Sequence, residues 1–248
     1  MNSDLFPFVS ICTPTFNRRI FIPILIKCIE QQDYPKDKIE WIIVDDGTDK
    51  IFDLVFNLKF VKIKYVHLKK KTPLGKKRNI CHQYCIGKIL INMDDDDYYP
   101  KERISHAVNT LRNAPNALCA GSSTMFTYFS HINKIYKFGP YGQSHSTAAT
   151  FAFKRELLLQ TAYDDYSCIA EEKYFLKNYT IPFVQLDSTK TILVFSHPYN
   201  SFDKKFFLEP QNKSAVVNET DLTIEMFISN PEFKILYLPI LSPSASSK

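Results

Sequence analysis

Glycine is sparse, with six residues in 248, and none stands in a GxGxxG or GxxxxGK(S/T) arrangement. Lacking those phosphate-cradling loops, the chain is a poor candidate for a nicotinamide-dependent enzyme or a P-loop ATPase. Cysteine is also limited: six residues form no CxxC pair, which argues against a structural zinc site. Cys12 and Cys119 fall in apolar, strand-like runs, and Cys81 and Cys85 are one helical turn apart, so they are read as reduced, mostly buried thiols. The start, MNSDLFPFVS, has no basic region followed by a long apolar core and is not a signal peptide. Long hydrophobic runs are missing too. The most apolar late stretch, FKILYLPIL, is about half the length a bilayer needs and contains Pro239. A cytoplasmic protein without a transmembrane segment is expected, with peripheral membrane contact left open. A net charge of +5 is too small to imply nucleic-acid binding, and the basic runs lack interleaved aromatics. It suits an anionic small substrate where positive groups cluster.

What is present is a regular alternation. Residues 8–13, 41–47, 62–68 and 88–93 read as strands, and 21–32 and 75–87 as helices. Pro100 is expected to open a further helix over 101–113. This pattern predicts an α/β fold with a mostly parallel central sheet flanked by helices. Beyond it, 118–129 and 135–139 read as strands, and 147–161 as a strand entering a helix. Residues 171–178 read as a short helix, followed by strands in PFVQL and KTILVF. PSASSK, at the end, is expected to be disordered.

Three polar clusters, TPTFNR, DDGT and DDDD, each lie at the carboxyl end of a predicted strand. Ligands bind at that edge of open α/β sheets. In INMDDDDYYP, Asp94 and Asp96 can reach one divalent ion, and carboxylate with water suits Mg²⁺ or Mn²⁺. The EF-hand pattern fails, because position six from Asp94 is Tyr99 and position twelve is Ser105. An acidic residue of DDGT, Asp45 or Asp46, can accept hydrogen bonds from a base or ribose, and Gly47 permits a tight turn. In LGKKRN, Arg78 can pair with a phosphate at a helix start, whereas Lys76, Lys77 and the Lys69–Lys71 run are expected to be solvated.

Taken in order and spacing, CTPTFNRR, VDDGT, LGKKRN and NMDDDDYYP resemble family two glycosyltransferases, which have the GT-A fold. The resemblance covers roughly residues 8–200. It implies a single GT-A domain over 1–202, with a nucleotide-binding half to residue 100, an acceptor-side half carrying a smaller mixed sheet, and an extension over 203–248. Thr13, Pro14 and Phe16 would form the first nucleotide loop, and Asp46, or else Asp45, would pair with the base. Arg78 would approach the base or pyrophosphate. Asp96 would be the main ligand of Mn²⁺ or Mg²⁺, with Asp94 and Asp95 contacting metal-bound water or ribose, in a register uncertain by one residue. Glu172 or Glu171 would be the general base, where the family usually has Asp. His197 would be a third metal ligand or a phosphate donor, and His145 would face the acceptor. The implied activity is inverting, metal-dependent sugar transfer from a UDP-, GDP- or dTDP-linked donor to a glycan, lipid-linked or protein acceptor. A nucleotidyltransferase making nucleotide sugars and a non-catalytic nucleotide-binding relative are the alternatives. The first would normally carry a glycine-rich signature near the first strand, which TPTFNRR lacks.

Overall fold

The computed structural model describes residues 5–241 apart from residues 169, 201 and 213. The expected PSASSK tail lies outside the described residues. In chain order the strands are β1 (Val9–Thr15), β2 (Ile39–Asp45), β3 (Lys62–His67), β4 (Ile89–Asn92), β5 (Cys119–Gly121), β6 (Met125–Phe129), β7 (Lys134–Phe138), β8 (Ala152–Lys154), β9 (Phe183–Gln185), β10 (Leu193–Ser196) and β11 (Val217–Glu219). The helices are α1 (Ile22–Glu30), α2 (Phe52–Val55), α3 (Leu74–Tyr84), α4 (Arg103–Asn113), α5 (Glu172–Phe175), α6 (Ile224–Phe227) and α7 (Pro231–Leu241).

Seven strands form one sheet in the order β3-β2-β1-β4-β8-β5-β9, and four form a second in the order β10-β6-β7-β11. The strands β3, β2, β1 and β4 run parallel, and β8 is antiparallel to both β4 and β5. Every residue of β1, β2 and β4 is buried, as a parallel strand covered on both faces requires. At the edge, β3 mixes exposed and half-buried positions, and Lys62 and Lys64 keep it charged. The helix α1 buries Ile22, Ile24, Leu25, Cys28 and Ile29 along one face, and a proline sits in its first turn.

Several local expectations need correction. Residues 118–129 are two strands in different sheets, broken where the Ser122 hydroxyl donates to the Thr124 carbonyl at 2.6 Å. The helix α4 starts at Arg103, whose N–H donates to the Pro100 carbonyl, so Pro100 lies ahead of the helix rather than in its first turn. After β8 the chain forms a 3₁₀ turn over Arg155–Leu159 in place of a helix. Within the expected 203–248 extension, β11 pairs with β7, Phe233 packs edge-on to Tyr98, and Tyr237 stacks on Phe195 at 4.2 Å.

Two buried side-chain systems fix the sheet edge that carries the polar loops. The Trp41 indole donates to the Thr13 hydroxyl (2.9 Å), which donates to the Met93 carbonyl (2.7 Å), tying β2, β1 and the end of β4 together. From α4 the fully buried Arg103 donates to the carbonyls of Asn92, Thr150 and Phe151, and burial pushes its pKa down to about 10. Arg103 thereby joins β4 to the turn before β8 and holds the segment from which the four aspartates emerge.

Candidate active site

The first and second loops are locked together by Asn17. Its backbone is left-handed (φ 54°), and its side-chain oxygen accepts the Thr48 N–H at 2.7 Å and the Asp49 N–H at 3.0 Å. Gly47 makes this approach possible, because a Cβ there would lie 2.6 Å from both Asn17 N and Asn17 Oδ1. Asp45 is wholly buried and spent on the fold: it accepts from Gly47 N, Ile51 N and the Tyr65 hydroxyl. Asp46 accepts the Thr72 N–H at 2.6 Å and pairs with the Lys77 ammonium at 2.8 Å. Lys77 is thus buried and ion-paired, not solvated as expected, while Lys76 is exposed as expected. Lys69, Lys70 and Lys71 are exposed as expected, and the Lys71 ammonium also lies 4.7 Å from the centre of the Phe16 ring.

A cavity of about 170 Å³ opens between these loops and the aspartate turn. Pro14, Phe16, Arg18, Leu74, Lys77, Asp94, Asp95 and Asp96 line it. Thr13 does not reach it, since its hydroxyl is engaged inside the sheet. Within the turn the four carboxylates take separate directions. Asp94 receives both terminal nitrogens of Arg78, at 3.0 and 3.2 Å. Asp95 and Asp96 both face the Arg18 Nε, at 3.8 and 3.7 Å. Asp97 turns inward to accept the Phe195 N–H. Burial, and next the Asp96 charge, push Asp95 and Asp97 well above the ordinary carboxylate range. Burial acts the same way on Asp96, but the His197 hydrogen bond and the Lys204 and Arg18 charges outweigh it and hold that group at about 2.

His197 is buried on Phe21, and its Nε2 lies 3.3 Å from Asp96 Oδ2. Its Nδ1 accepts the Tyr199 N–H at 3.2 Å, and its Nε2 lies between Asp96 Oδ2 and the Asn200 amide nitrogen, which is 3.0 Å away. His197 thus stands beside Asp96 with both ring nitrogens already engaged. Asn200 also donates to Asp96 at 3.4 Å. The donor set suits a hard divalent ion in kind, because three carboxylates, Asp94, Asp95 and Asp96, line one cavity. Among the described residues no three His, Cys, Asp or Glu side chains are gathered to hold one. An ion here would complete its shell with water and phosphate oxygens, as Mg²⁺ does.

Arg78 reaches in two directions. Its Nε donates to Glu171 Oε1 at 2.9 Å while its other nitrogens hold Asp94. The guanidinium is 2% exposed and is committed to two carboxylates rather than presented to the cavity. Glu171 is likewise buried and spoken for, whereas Glu172 is half-buried at the start of α5. Burial raises the Glu172 pKa, as does the Glu171 charge, while its own backbone N–H and Arg78 act the other way. Left-handed residues bracket this single helical turn: Ala170 before it, and Lys177, Asn178 and Tyr179 after it. Such backbone costs about 1–2 kcal/mol per residue and gathers at functional sites. His145 stands apart from the cavity, with its ring between Tyr141 (4.9 Å) and Tyr179 (5.2 Å).

Arg18, Lys77 and Arg103 had no assigned role in the sequence reading. For Lys77 a signal was available: Gly75, Arg78 and His82 mark the inner face of α3, and Lys77 lies beside it.

A mostly parallel sheet with polar strand-end loops around a small acidic cavity, beside a second, mixed sheet, defines the GT-A fold. Glycosyl transferase family 2 matches residues 10–177, more than half of the chain, and the chain belongs to that family. One relative is the poly(ribitol-phosphate) beta-N-acetylglucosaminyltransferase TarS of Staphylococcus aureus, 31% identical over 102 residues, covering 40% of this chain and 18% of TarS. Another is the GalNAc(5)-diNAcBac-PP-undecaprenol beta-1,3-glucosyltransferase of Campylobacter jejuni, 36% identical over 115 residues, covering 44% of this chain and 35% of the relative. The chain thus matches well under half the length of either relative. Among solved structures, S. aureus TarS 1–349 in complex with UDP-GlcNAc aligns with a TM-score of 0.65 at 17% identity, over 94% of this chain and 67% of that one. Mannosyltransferase PcManGT from Pyrobaculum calidifontis, in complex with GDP-Man and Mn²⁺, aligns with a TM-score of 0.63 at 18% identity, over 79% of this chain and 59% of that one. Among the described residues no helix is long and apolar enough to cross a membrane.

Proposed function

We propose that the protein is an inverting, metal-dependent glycosyltransferase that moves a sugar from a nucleoside-diphosphate donor to an acceptor hydroxyl. One observation carries this reading above the others. Arg78 bridges Asp94 and Glu171, so the acidic pair opening α5 sits one side chain away from the aspartate turn. A metal-diphosphate site and a general base must stand in this relation for direct displacement. Nucleotide complexes of TarS and PcManGT, which share the fold, agree with the donor class.

In this reading Pro14 and Phe16 take the nucleoside. Asp45 is spent inside the fold, and Asp46, paired with the cavity-lining Lys77, is the acidic group assigned to the base. Asp96, with Asp94 or Asp95, would hold Mg²⁺ or Mn²⁺, which supplies neutralisation of the charge gathering on the departing diphosphate. Arg18, beside Asp95 and Asp96, adds a positive charge at the same place. Glu171 is held by Arg78, which leaves Glu172 as the base. Its carboxylate takes the proton of the acceptor hydroxyl as that oxygen bonds to the anomeric carbon and the carbon–diphosphate bond breaks. One displacement inverts the centre. Its raised pKa makes Glu172 a stronger proton acceptor than an ordinary carboxylate.

The test is a coupled assay of nucleotide release with UDP-, GDP- and dTDP-sugars against glycan, polyprenyl-linked and protein acceptors, with the product anomer read by NMR. Sugar transfer with inversion from one donor is the expected result. Retention, or no transfer from any donor that binds, would reject the mechanism.

A further inference from the structure

Away from the aspartate turn, at the edge where β1, β2 and β4 begin, lies a second cavity of about 470 Å³. Its walls are apolar, with Pro7, Ile89, Val108 and Leu111. Around them stand four cations, Lys88, Arg112, Lys154 and Arg155, against one acid, Glu156. The register explains the grouping: Lys88 precedes β4, and β8, running the other way, ends with Lys154 opposite Ile89. The last turn of α4 brings Arg112 back to the same edge. Two of these cations bond to neutral groups, Lys154 to the Pro115 carbonyl and Arg112 to the Asn109 amide oxygen, and among the described residues neither forms an ion pair.

The positive character continues sideways. Lys36, Lys59 and Lys62 line a neighbouring depression at the starts of β2 and β3, with Asp37 as its acidic residue. Large apolar side chains interrupt the cations: Phe6, just before β1, is 41% exposed, and Ile86, whose N–H is held by Glu40 at the start of β2, is 54% exposed. A point anion would need neither that width nor the exposed apolar groups. Lysine and arginine mixed with exposed apolar side chains on one face match a surface with negative headgroups over hydrocarbon.

We propose that this edge of the large sheet docks the protein onto an anionic phospholipid bilayer, with Arg112 and Arg155 against the headgroups and Phe6 and Ile86 entering the interface. Extended chain through β4, from Lys88 to Asp94, then holds the aspartate turn about 20 Å away, on the aqueous side. The inference is independent of the glycosyltransferase reading.

Co-sedimentation of the full chain with vesicles of phosphatidylcholine alone, and of phosphatidylcholine mixed with phosphatidylglycerol, tests it. Two double variants are compared: Arg112→Glu/Arg155→Glu at this edge, and Lys69→Glu/Lys70→Glu in an exposed loop elsewhere, which changes net charge equally. The wild type is expected to bind the anionic vesicles only, the edge variant to lose at least about thirtyfold in affinity, and the loop variant to keep its binding. Should charge reversal unfold the protein, Arg112→Gln/Arg155→Gln repeats the comparison without added repulsion. Failure to bind anionic vesicles overturns the proposal, as does an equal loss in both variants. Displacement by inorganic phosphate at millimolar concentration would also overturn it, by marking a point-anion site.

Discussion

The two halves of the molecule reach the site by different means. Before residue 100, three parallel strands end side by side, and each delivers one polar loop to the same edge. Short-range bonds then finish the work, as Asn17 fastens the first loop to the second and Asp46 meets Lys77. Beyond residue 117, main-sheet strands of three residues, 3₁₀ turns and left-handed residues bring Glu171 and Glu172 in from a distant part of the chain. There position depends on one long-range clamp, Arg78, more than on regular structure. In the proposed mechanism this becomes a division of labour: a regular half that would bind the donor, and a less regular half, pinned to it, that would supply the reactive carboxylate.

Perturbing the pinned half should be most costly for turnover. Glu172→Gln is expected to lower kcat by about 10²–10⁴-fold while nucleotide affinity holds, measured by steady-state assay beside calorimetry. With Glu172 raised, the wild-type rate should fall as pH drops through a value above the ordinary glutamate range, because the protonated form cannot accept a proton. An equally active Glu172→Gln would move the base elsewhere. Cutting the clamp comes next. Arg78→Met leaves the Asp94 and Glu171 carboxylates without their shared cation, and a loss of about 3–5 kcal/mol in denaturant unfolding is expected. Unchanged stability would mean the halves hold together without it. The smallest effect is expected inside the regular half. Gly47→Ala drives a methyl group into Asn17 and should weaken nucleotide binding about tenfold, roughly the worth of one or two hydrogen bonds.

How much of this was readable follows the same division. Continuous apolar runs ended by TPTFNR, DDGT and DDDD placed three loops on one edge, because parallel strands fix that edge by topology. The roles within DDDD were not readable. Asp94 is claimed by Arg78, and Asp97 by a backbone N–H of β10, partners 16 and 98 residues away in the chain. Glu171 and Glu172 were found as a pair but not told apart, since the distinction is made by Arg78 rather than by neighbours in sequence. The break between β5 and β6 was missed for a related reason: a strand of three residues is too short to show a period. Lys77, in contrast, was within reach of a closer reading of the face of α3.

The central claim is that the aspartate turn and the first two loops bind a nucleoside diphosphate together with a divalent ion. Calorimetric titration of UDP, GDP and dTDP, with and without Mn²⁺, on the wild type and on Asp96→Ala, tests it most directly. Tight binding of one nucleotide that requires the metal and disappears in Asp96→Ala is the predicted result. Binding that ignores the metal, or that survives the loss of Asp96, would contradict it.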